Sequence, residues 1–369
     1  MFDRVRRFLA KGDWVLTAAL ILLFAISLAA LYASGKSSSG AYENFVEQAA
    51  FMGVGLVLYA LVGSFDYRRL RSFAPVLFVG SALLLSSVLI FGSTINNTTG
   101  WFRIGQFGIQ PIEFVKVFWI LSMAAFLASR GSFMSHWKNI LQLFGLMILL
   151  VGLTLLQPDL GSAMIVLATT LGILLITNVR RTHILILIGV LVAVCLISWF
   201  GLLQGYQKER ILVLFNPARD PLGGGYHVTQ SIIAIGSGGW LGRGLGYGSQ
   251  SQLKFLPEQQ TDFIFAVIGE ELGFIGAGLV LILFGVILFR CARIASLTSN
   301  DFGTFVSYGV MLMIFFHVVV NVGMNLGLLP VAGIPLPFVS YGGSSLLAMM
   351  IAAGLVQSVI VHQSRLTAT

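Results

Sequence analysis

Charged residues are scarce in this chain of 369 residues, since lysine, arginine, aspartate and glutamate make up only 10% of it. A soluble globular domain carries about 25% charged residues. Together with a hydrophobic content of 57%, this scarcity excludes an ordinary soluble protein and predicts a protein of the lipid bilayer. Cysteine is scarce as well: Cys195 lies inside one apolar run and Cys291 at the end of another, so we expect no disulfide.

The chain also lacks the residue patterns of a metal centre or a nucleophilic triad. Its five histidines are scattered without metal-ligand spacing, and no Ser/His/Asp or Cys/His set is recognisable. We therefore predict no metal site and no certain cofactor. A divalent cation, Mg or Mn, could still assist the chemistry.

Long apolar runs are what the sequence has instead. A helix needs about 20 apolar residues to cross a bilayer, and backbone groups in lipid must bond internally. We expect an all-α integral membrane protein, a polytopic bundle of ten transmembrane helices that forms a single domain over residues 1–369. The ten runs are 14–33, 46–63, 73–91, 111–128, 140–156, 161–176, 184–203, 263–289, 302–328 and 343–361.

Lysine and arginine are distributed unevenly between the two sides of this bundle. Fourteen of the 22 cations fall in the termini and loops of one side, whereas the short loops of the other side hold only Lys36 and Arg103. The positive-inside rule therefore predicts that both termini are cytoplasmic. Ten of the fourteen acids are outer or buried, which predicts a functional mouth on the external face. The net charge of +8 then fits anionic membrane lipids and not nucleic acid.

Residues 204–262 form the longest polar stretch, predicted as a large periplasmic loop between helices 7 and 8. Residues 206–215 have the apolar spacing of a short amphipathic helix on the membrane surface, and residues 226–235 could form another. The glycine-rich segment 236–248 that follows either approaches a ligand closely or is a flexible loop.

Three carboxylates mark the end of this loop. Asp262 stands where the loop enters the eighth run, and Glu270 and Glu271 follow about two turns later. An ionised carboxylate near lipid is costly, so it usually marks a substrate path or a reacting group. Capping of the helix is the simpler explanation of Asp262, although a capping carboxylate can still face a cavity. For Glu270 and Glu271 we expect a structural role, bonding buried polar groups.

A second polar set surrounds the start of the fourth run. Glu113 and Lys116 share one helix face, either as a neutralising structural pair or as a site where Lys116 holds a phosphate that Glu113 orients. Trp101 and Arg103 combine a ring with a guanidinium, which suits a sugar–diphosphate ligand. An interfacial anchor is the plainer explanation of Trp101. The plainer explanation of Asp159 is that it caps the next helix.

The segment 325–345 is apolar yet contains three prolines. Irregular backbone at membrane depth is tolerated only where it lines a cavity or is buried in protein. Ser340, Gly342 and Gly343 lead into the last run, where the free N–H groups of a helix N-terminus would favour an anion. A structural plug is the competing interpretation.

The stretch GLLPVAGIPLPFVSYGG at 327–343 resembles the signature of the SEDS family, named for shape, elongation, division and sporulation. The resemblance continues in QPDLG at 157–161, DPLGGGYHVTQ at 220–230 and FLPEQQTDFIF at 255–265, so it covers nearly the whole chain. The short termini and residues 235–244 most resemble the RodA branch of elongation proteins, and less the FtsW branch. One departure is the pair Gln259 and Gln260, where relatives often place histidine or another residue.

This resemblance implies a peptidoglycan glycosyltransferase of the bacterial inner membrane. Its substrates would be lipid II and the nascent glycan strand, and its partner a class B penicillin-binding protein. The essential acid of the family's outer loop corresponds to Asp262, the outer-turn acid to Asp159, and the buried pair to Glu113 and Lys116.

The reaction we expect is a single inverting displacement in which Asp262 is the general base for the acceptor 4-hydroxyl. The positive charge that the departing undecaprenyl diphosphate needs would come from Arg103, Lys116, Arg210 and Lys254. Two alternatives stay open. A lipid II flippase or transporter would need a polar path across the whole membrane, and a non-catalytic scaffold for the penicillin-binding protein would not need Asp262.

Overall fold

The apolar runs of the sequence form long helices in a computed structural model of the protein. Residues that the structure describes are 2–35, 41–95, 98–105, 107–131, 136–177, 182–183, 185–186, 189, 205–216, 219–220, 223–253, 255–256 and 258–363. In chain order the helices are α1 Phe2–Lys11, α2 Trp14–Gly35, α3 Ala41–Ser64, α4 Leu70–Phe91, α5 Pro111–Arg130, α6 Trp137–Leu155, α7 Leu160–Ile176, α8 Gly205–Phe215, α9 Gly224–Ser237, α10 Ser249–Gln252, α11 Ile264–Leu297, α12 Asp301–Asn325 and α13 Gly343–Val361.

Eight helices within the described ranges are long and apolar enough to cross a membrane, and α7 is a shorter apolar helix. These nine correspond to nine of the ten predicted runs, which confirms a polytopic helical membrane protein. The remaining run, residues 184–203, lies almost entirely outside the described residues. Buried residues are most frequent in α5, α12 and α13, so these three helices form the centre of the bundle.

A small antiparallel sheet, which the sequence did not predict, is added to the helices between α4 and α5. Its strands are β1 Ser93–Ile95, β2 Thr98–Ile104 and β3 Phe107–Ile109, in that spatial order. Threonine, tryptophan, phenylalanine and isoleucine in β2 favour extended backbone. The sheet brings Arg103 opposite Gly108 in the register of β2 and β3.

Helix α11 is broken at Gly273, whose backbone has φ 67° and ψ −165°. The glycine-rich segment closes around this break: the amide of Arg243 donates to the carbonyl of Glu270 at 2.9 Å, and the amide of Phe274 donates to that of Gly239 at 2.8 Å. A β-carbon on Gly242 would lie 2.1 Å from the carbonyl oxygen of Glu271. Glycine at position 242 therefore permits close packing of the segment against the backbone of α11, which is more ordered than a plain flexible loop.

Candidate functional site

Asp262 lies in the turn that leads into α11, and the residue is partly exposed. Helix α11 begins at Ile264 with Phe263 at the N-cap position, and the side chain of Phe263 makes no capping hydrogen bond.

The two residues before the aspartate are bonded to the segment that precedes α13. The amide of Tyr341 donates to the carbonyl of Gln260 at 2.8 Å, and the hydroxyl of Ser340 donates to the carbonyl of Thr261 at 2.6 Å. Ser340 was predicted to bind substrate. The structure shows its buried side chain making hydrogen bonds to the backbone of the protein.

The carbonyl of Asp262 is held by two asparagines of α12. The side-chain amide of Asn321 donates to it at 2.9 Å, and that of Asn325 at 3.0 Å. Both asparagines are fully buried. Sequence reasoning missed them, although their spacing of four residues in an apolar run was a signal for one polar helix face.

The turn that carries Asp159 packs beside the same mouth. A β-carbon on Gly161 would lie 2.5 Å from the carbonyl oxygen of Ala332, and one on Gly333 would lie 3.8 Å from Oδ2 of Asp262. The backbone of residues 332–333 therefore lies close to both the Asp159 turn and Asp262. Glycine at position 161 allows the close approach to Ala332.

Asp159 caps α7, because its Oδ1 accepts a hydrogen bond of 2.9 Å from the amide of Ser162. Its Oδ2 accepts a longer bond of 3.4 Å from the side-chain amide of Gln110. Burial raises the pKa of Asp159, while the Ser162 amide and the nearby Lys116 oppose that shift. The capping interpretation is therefore correct, and it leaves Asp159 next to the Glu113–Lys116 pair.

Glu113 and Lys116 form a buried ion pair of 2.8 Å, with each side chain 3% exposed. Nζ of Lys116 also lies 2.9 Å from Nε2 of His317, a fully buried residue that the sequence had left without a role. Nδ1 of this histidine lies 2.7 Å from the carbonyl of Met313. A proton on Nδ1 satisfies that contact, which leaves Nε2 to accept from the ammonium.

Because two of its three N–H donors are engaged inside the protein, Lys116 is a member of a buried network and not an open phosphate ligand. The second carboxylate oxygen of Glu113 has no hydrogen-bond partner among the described residues. Within those same ranges, no three histidine, cysteine, aspartate or glutamate side chains group as metal ligands would.

Trp101 and Arg103 alternate with Phe102 along β2, so they lie on one face of the strand. Arg103 is exposed and Trp101 is partly buried. The amide of Gln110, just after the sheet, donates to Oγ of Ser344 at 3.1 Å. This bond attaches the sheet to the first turn of α13, on the side where Ser340 and the Asp262 turn lie.

The other predicted cations and glycines have different surroundings. Arg210 lies in α8, and Lys254 lies outside the described residues. The amide of Gly342 donates to Oε1 of Gln48 at 3.2 Å. A β-carbon on Gly343 would lie 2.6 Å from the ring of Phe51, so a larger residue here would have to displace that ring of α3.

Helix α3 contributes further residues that the sequence did not indicate. Gln48, which is fully buried, donates from Nε2 to the carbonyl of Ser340 at 3.0 Å. The hydroxyl of Tyr341 donates to Glu47 at 2.5 Å. Burial, and after it the contact with Glu47, raises the pKa of Tyr341. The segment before α13 is thereby fixed on both of its sides.

Glu270 and Glu271 are buried and face the loop, away from the mouth. Glu270 accepts hydrogen bonds from the amides of Gln250 at 2.8 Å and Ser251 at 3.0 Å, at the N-terminus of α10. Glu271 accepts one of 3.3 Å from the hydroxyl of Ser251. The two acids thus hold α10 against the first half of α11.

Comparisons with known proteins give one consistent result. The chain matches the profile of the FtsW/RodA/SpoVE family, described as a cell cycle protein, over residues 9–365. It is 36% identical over 355 residues to the peptidoglycan glycosyltransferase MrdB of Escherichia coli K12. The aligned region covers 96% of this chain and 95% of that protein.

Two solved structures are similar over nearly the whole length. One belongs to a peptidoglycan synthase complex that coordinates polymerization and crosslinking, with a TM-score of 0.81 and 35% identity over 96% of this chain and 99% of that one. The other is the rod shape determining protein RodA of Thermus thermophilus, with a TM-score of 0.72 and 30% identity over 96% of this chain and 98% of that one.

Proposed function

The chain belongs to the FtsW/RodA/SpoVE family, and we propose that it is a peptidoglycan glycosyltransferase that joins lipid II units into glycan strands for cell elongation. It is a protein of the bacterial inner membrane. The likeness to MrdB and to RodA over nearly the full length supports the elongation role.

The observation that carries the proposal is the placement of Asp262. Asp262 as a residue is partly exposed, while its backbone carbonyl is bonded to two buried residues of α12. A general base needs this combination, because it must reach a substrate proton and must also be held in a fixed position.

In the proposed reaction, a lone pair of the acceptor's 4-hydroxyl oxygen attacks the anomeric carbon of the donor. The proton of that hydroxyl passes to the carboxylate of Asp262. The bond between the anomeric carbon and the diphosphate oxygen breaks, and undecaprenyl diphosphate leaves with the electron pair. One displacement converts the α-linked donor into a β-linked product, so no covalent enzyme intermediate is required.

The departing diphosphate needs positive charge. Exposed Arg103 on β2 is the described residue best suited to meet it, and Arg210 and Lys254 of the long loop are the further candidates. Lys116 is buried against Glu113 and His317, so we propose a structural role for it and no direct contact with the diphosphate. No cofactor is proposed. If a divalent cation accompanies the diphosphate, EDTA should abolish the activity and added Mg or Mn should restore it.

For the topology we propose ten transmembrane helices, cytoplasmic termini and an active site that faces the periplasm. The excess of lysine and arginine on one side supports this orientation. Residues 204–262 would then be the large periplasmic loop, to which α8, α9 and α10 belong. Cysteine labelling from outside the membrane at residue 240, but not at residue 7, is the expected result.

As partner we propose a class B penicillin-binding protein. The similar chain in a complex that coordinates polymerization and crosslinking supports it. Co-purification of the two proteins from membranes would be the first measurement, and an Asp262→Asn variant should retain it.

Polymerisation of purified lipid II by the complex tests the function itself. Asp262→Asn should abolish glycan synthesis, whereas Glu258→Gln, which changes an exposed acid of the same turn, should leave it nearly unchanged. Wild-type activity in Asp262→Asn would contradict the catalytic role and favour a scaffold. Transport of lipid II across liposomes without polymer would favour a flippase.

A further inference from the structure

Asn321 joins the two backbone segments that border the carboxylate of Asp262. One amide nitrogen donates to the carbonyl of Asp262 at 2.9 Å and to the carbonyl of Ile334 at 2.8 Å. Ile334 directly follows Gly333, the residue that lies against the carboxylate. One side chain therefore bonds both to the segment that carries the base and to the segment on the opposite side of it.

Asn325 adds the start of α11 to the same connection. Its Nδ2 donates to the carbonyl of Asp262 at 3.0 Å and to the carbonyl of Asn321 at 2.8 Å. Its Oδ1 accepts a bond of 3.2 Å from the amide of Ala266. Because the oxygen is needed by an N–H donor, the orientation of this side-chain amide is determined by its partners.

Both asparagines lie on a face of α12 that continues to the buried cation. His317, Asn321 and Asn325 are spaced four residues apart, and all three are fully buried. His317 contacts Lys116 at 2.9 Å. Eight residues of helix place the two ends of this face about 12 Å apart. One rigid element thus carries the partner of Lys116 and the partners of Asp262.

We propose that Asn321 and Asn325 are positioning residues that hold Asp262 at the height and angle required to take the acceptor proton. This inference rests on the proposed function. The alternative is that the pair only stabilises the junction of α11 and α12, in which case their loss would affect folding and not turnover by the folded protein.

The test uses the full complex with Asn321→Leu and Asn325→Leu, which keep side-chain volume and remove the donors. Misplacement of a catalytic group by about 1 Å can cost about 100-fold in rate. We expect kcat on lipid II to fall on that scale, with KM changed far less. Asn300→Ala is the matched control, because it removes an asparagine bond at the opposite end of α12, to the amide of Phe302. This control should keep the wild-type kcat.

Hydrogen exchange supplies a readout that does not depend on activity. The amide of Tyr341 donates to the carbonyl of Gln260 and reports directly on the contact between the two segments. The amide of Leu336 reports on it indirectly, because it donates to the Ser340 hydroxyl that in turn donates to Thr261. Exchange at these amides should accelerate in Asn321→Leu and stay unchanged in Asn300→Ala. Should a leucine variant fail to fold, Asn321→Asp and Asn325→Asp keep the shape while replacing the donor by an acceptor.

The activity of the Asp262→Asn variant distinguishes a failure of this inference from a failure of the proposed function. An inactive Asp262→Asn together with wild-type kcat and exchange in the folded Asn321 and Asn325 variants overturns the positioning role alone. A fully active Asp262→Asn overturns the general base itself, whatever the asparagine variants do. Lowered kcat with accelerated exchange, in variants that still bind the partner, is the result expected.

Discussion

Lys116 and His317 share a hydrogen bond of 2.9 Å at a depth where neither side chain is more than 3% exposed. The histidine is oriented by its second nitrogen, which lies 2.7 Å from the carbonyl of Met313. Glu113 meets the same ammonium at 2.8 Å. The cation is thus neutralised by one partner and solvated by the other, which is what a buried charge requires.

Removal of the cation should therefore cost far more than removal of the whole pair. Lys116→Met leaves a buried carboxylate without its partner, and we expect a loss of about 3–5 kcal/mol in the free energy of unfolding. The double variant Glu113→Gln with Lys116→Met should recover much of that loss. Unfolding of the detergent-solubilised variants by denaturant would measure both.

An exposed ion pair in the same protein provides the control. Arg219 and Glu209 lie 3.5 Å apart with side chains 49% and 40% exposed. Glu209→Gln should cost no more than about 1 kcal/mol. Equal losses in Lys116→Met and Glu209→Gln would contradict the buried network.

The sequence predicted the Glu113–Lys116 pair because local spacing is visible along the chain. It did not predict His317, which is 201 residues away from Lys116 and meets it only through packing of α5 against α12. In the same way, motif resemblance pointed to Asp262, while its partners Asn321 and Asn325 required the structure. Long-range contacts are set by tertiary packing, and the periodicity of apolar residues does not predict which helices pack against each other.

The break in α11 shows the same limit on a local scale. Residues 263–289 form one apolar run, and nothing in the sequence indicates that Gly273 and Gly278 differ in conformation. The helix is interrupted only at Gly273, because the backbone of residues 239–244 bonds to the groups that a continuing helix would use. The predicted run 263–289 began at the right place but ended eight residues short of the helix, which continues to Leu297, and its interruption depended on a segment about 30 residues earlier.

Gly273→Ala should consequently be strongly destabilising. A β-carbon at this position would lie 2.3 Å from the amide nitrogen of Gly242, and the residue has a φ of 67°, which side chains rarely adopt. We expect a lower midpoint of thermal denaturation and more rapid proteolysis within the glycine-rich segment. Both can be followed on the purified protein.

Gly278→Ala separates this effect from the general preference of helices for alanine. It lies in the same helix, where a β-carbon meets nothing within 4 Å. Alanine exceeds glycine in helix propensity by about 1 kcal/mol, so this variant should be neutral or more stable. A destabilised Gly278→Ala, or an unaffected Gly273→Ala, would show that the break is not held by close backbone contact.

His227 gives the protein a predicted dependence of stability on pH. This residue of α9 stacks on Phe263, which directly follows Asp262, with ring centroids 6.0 Å apart. Its Nδ1 is buried and has no partner in the described part of the chain. Burial lowers its pKa from 6.5, and the nearby carboxylates of Asp220 and Glu258 oppose that shift only partly.

Because the folded pKa lies below the unfolded one, the unfolded chain binds more protons in the window between them. Stability should therefore be fully present above pH 6.5 and decrease as the pH falls through that window. His227→Phe keeps a ring against Phe263 and removes the titrating group, so its thermal midpoint should change less with pH than that of the wild type. His136→Phe, at the N-cap of α6, is the control that should retain the wild-type slope. A slope that persists in His227→Phe would assign the titration to another group.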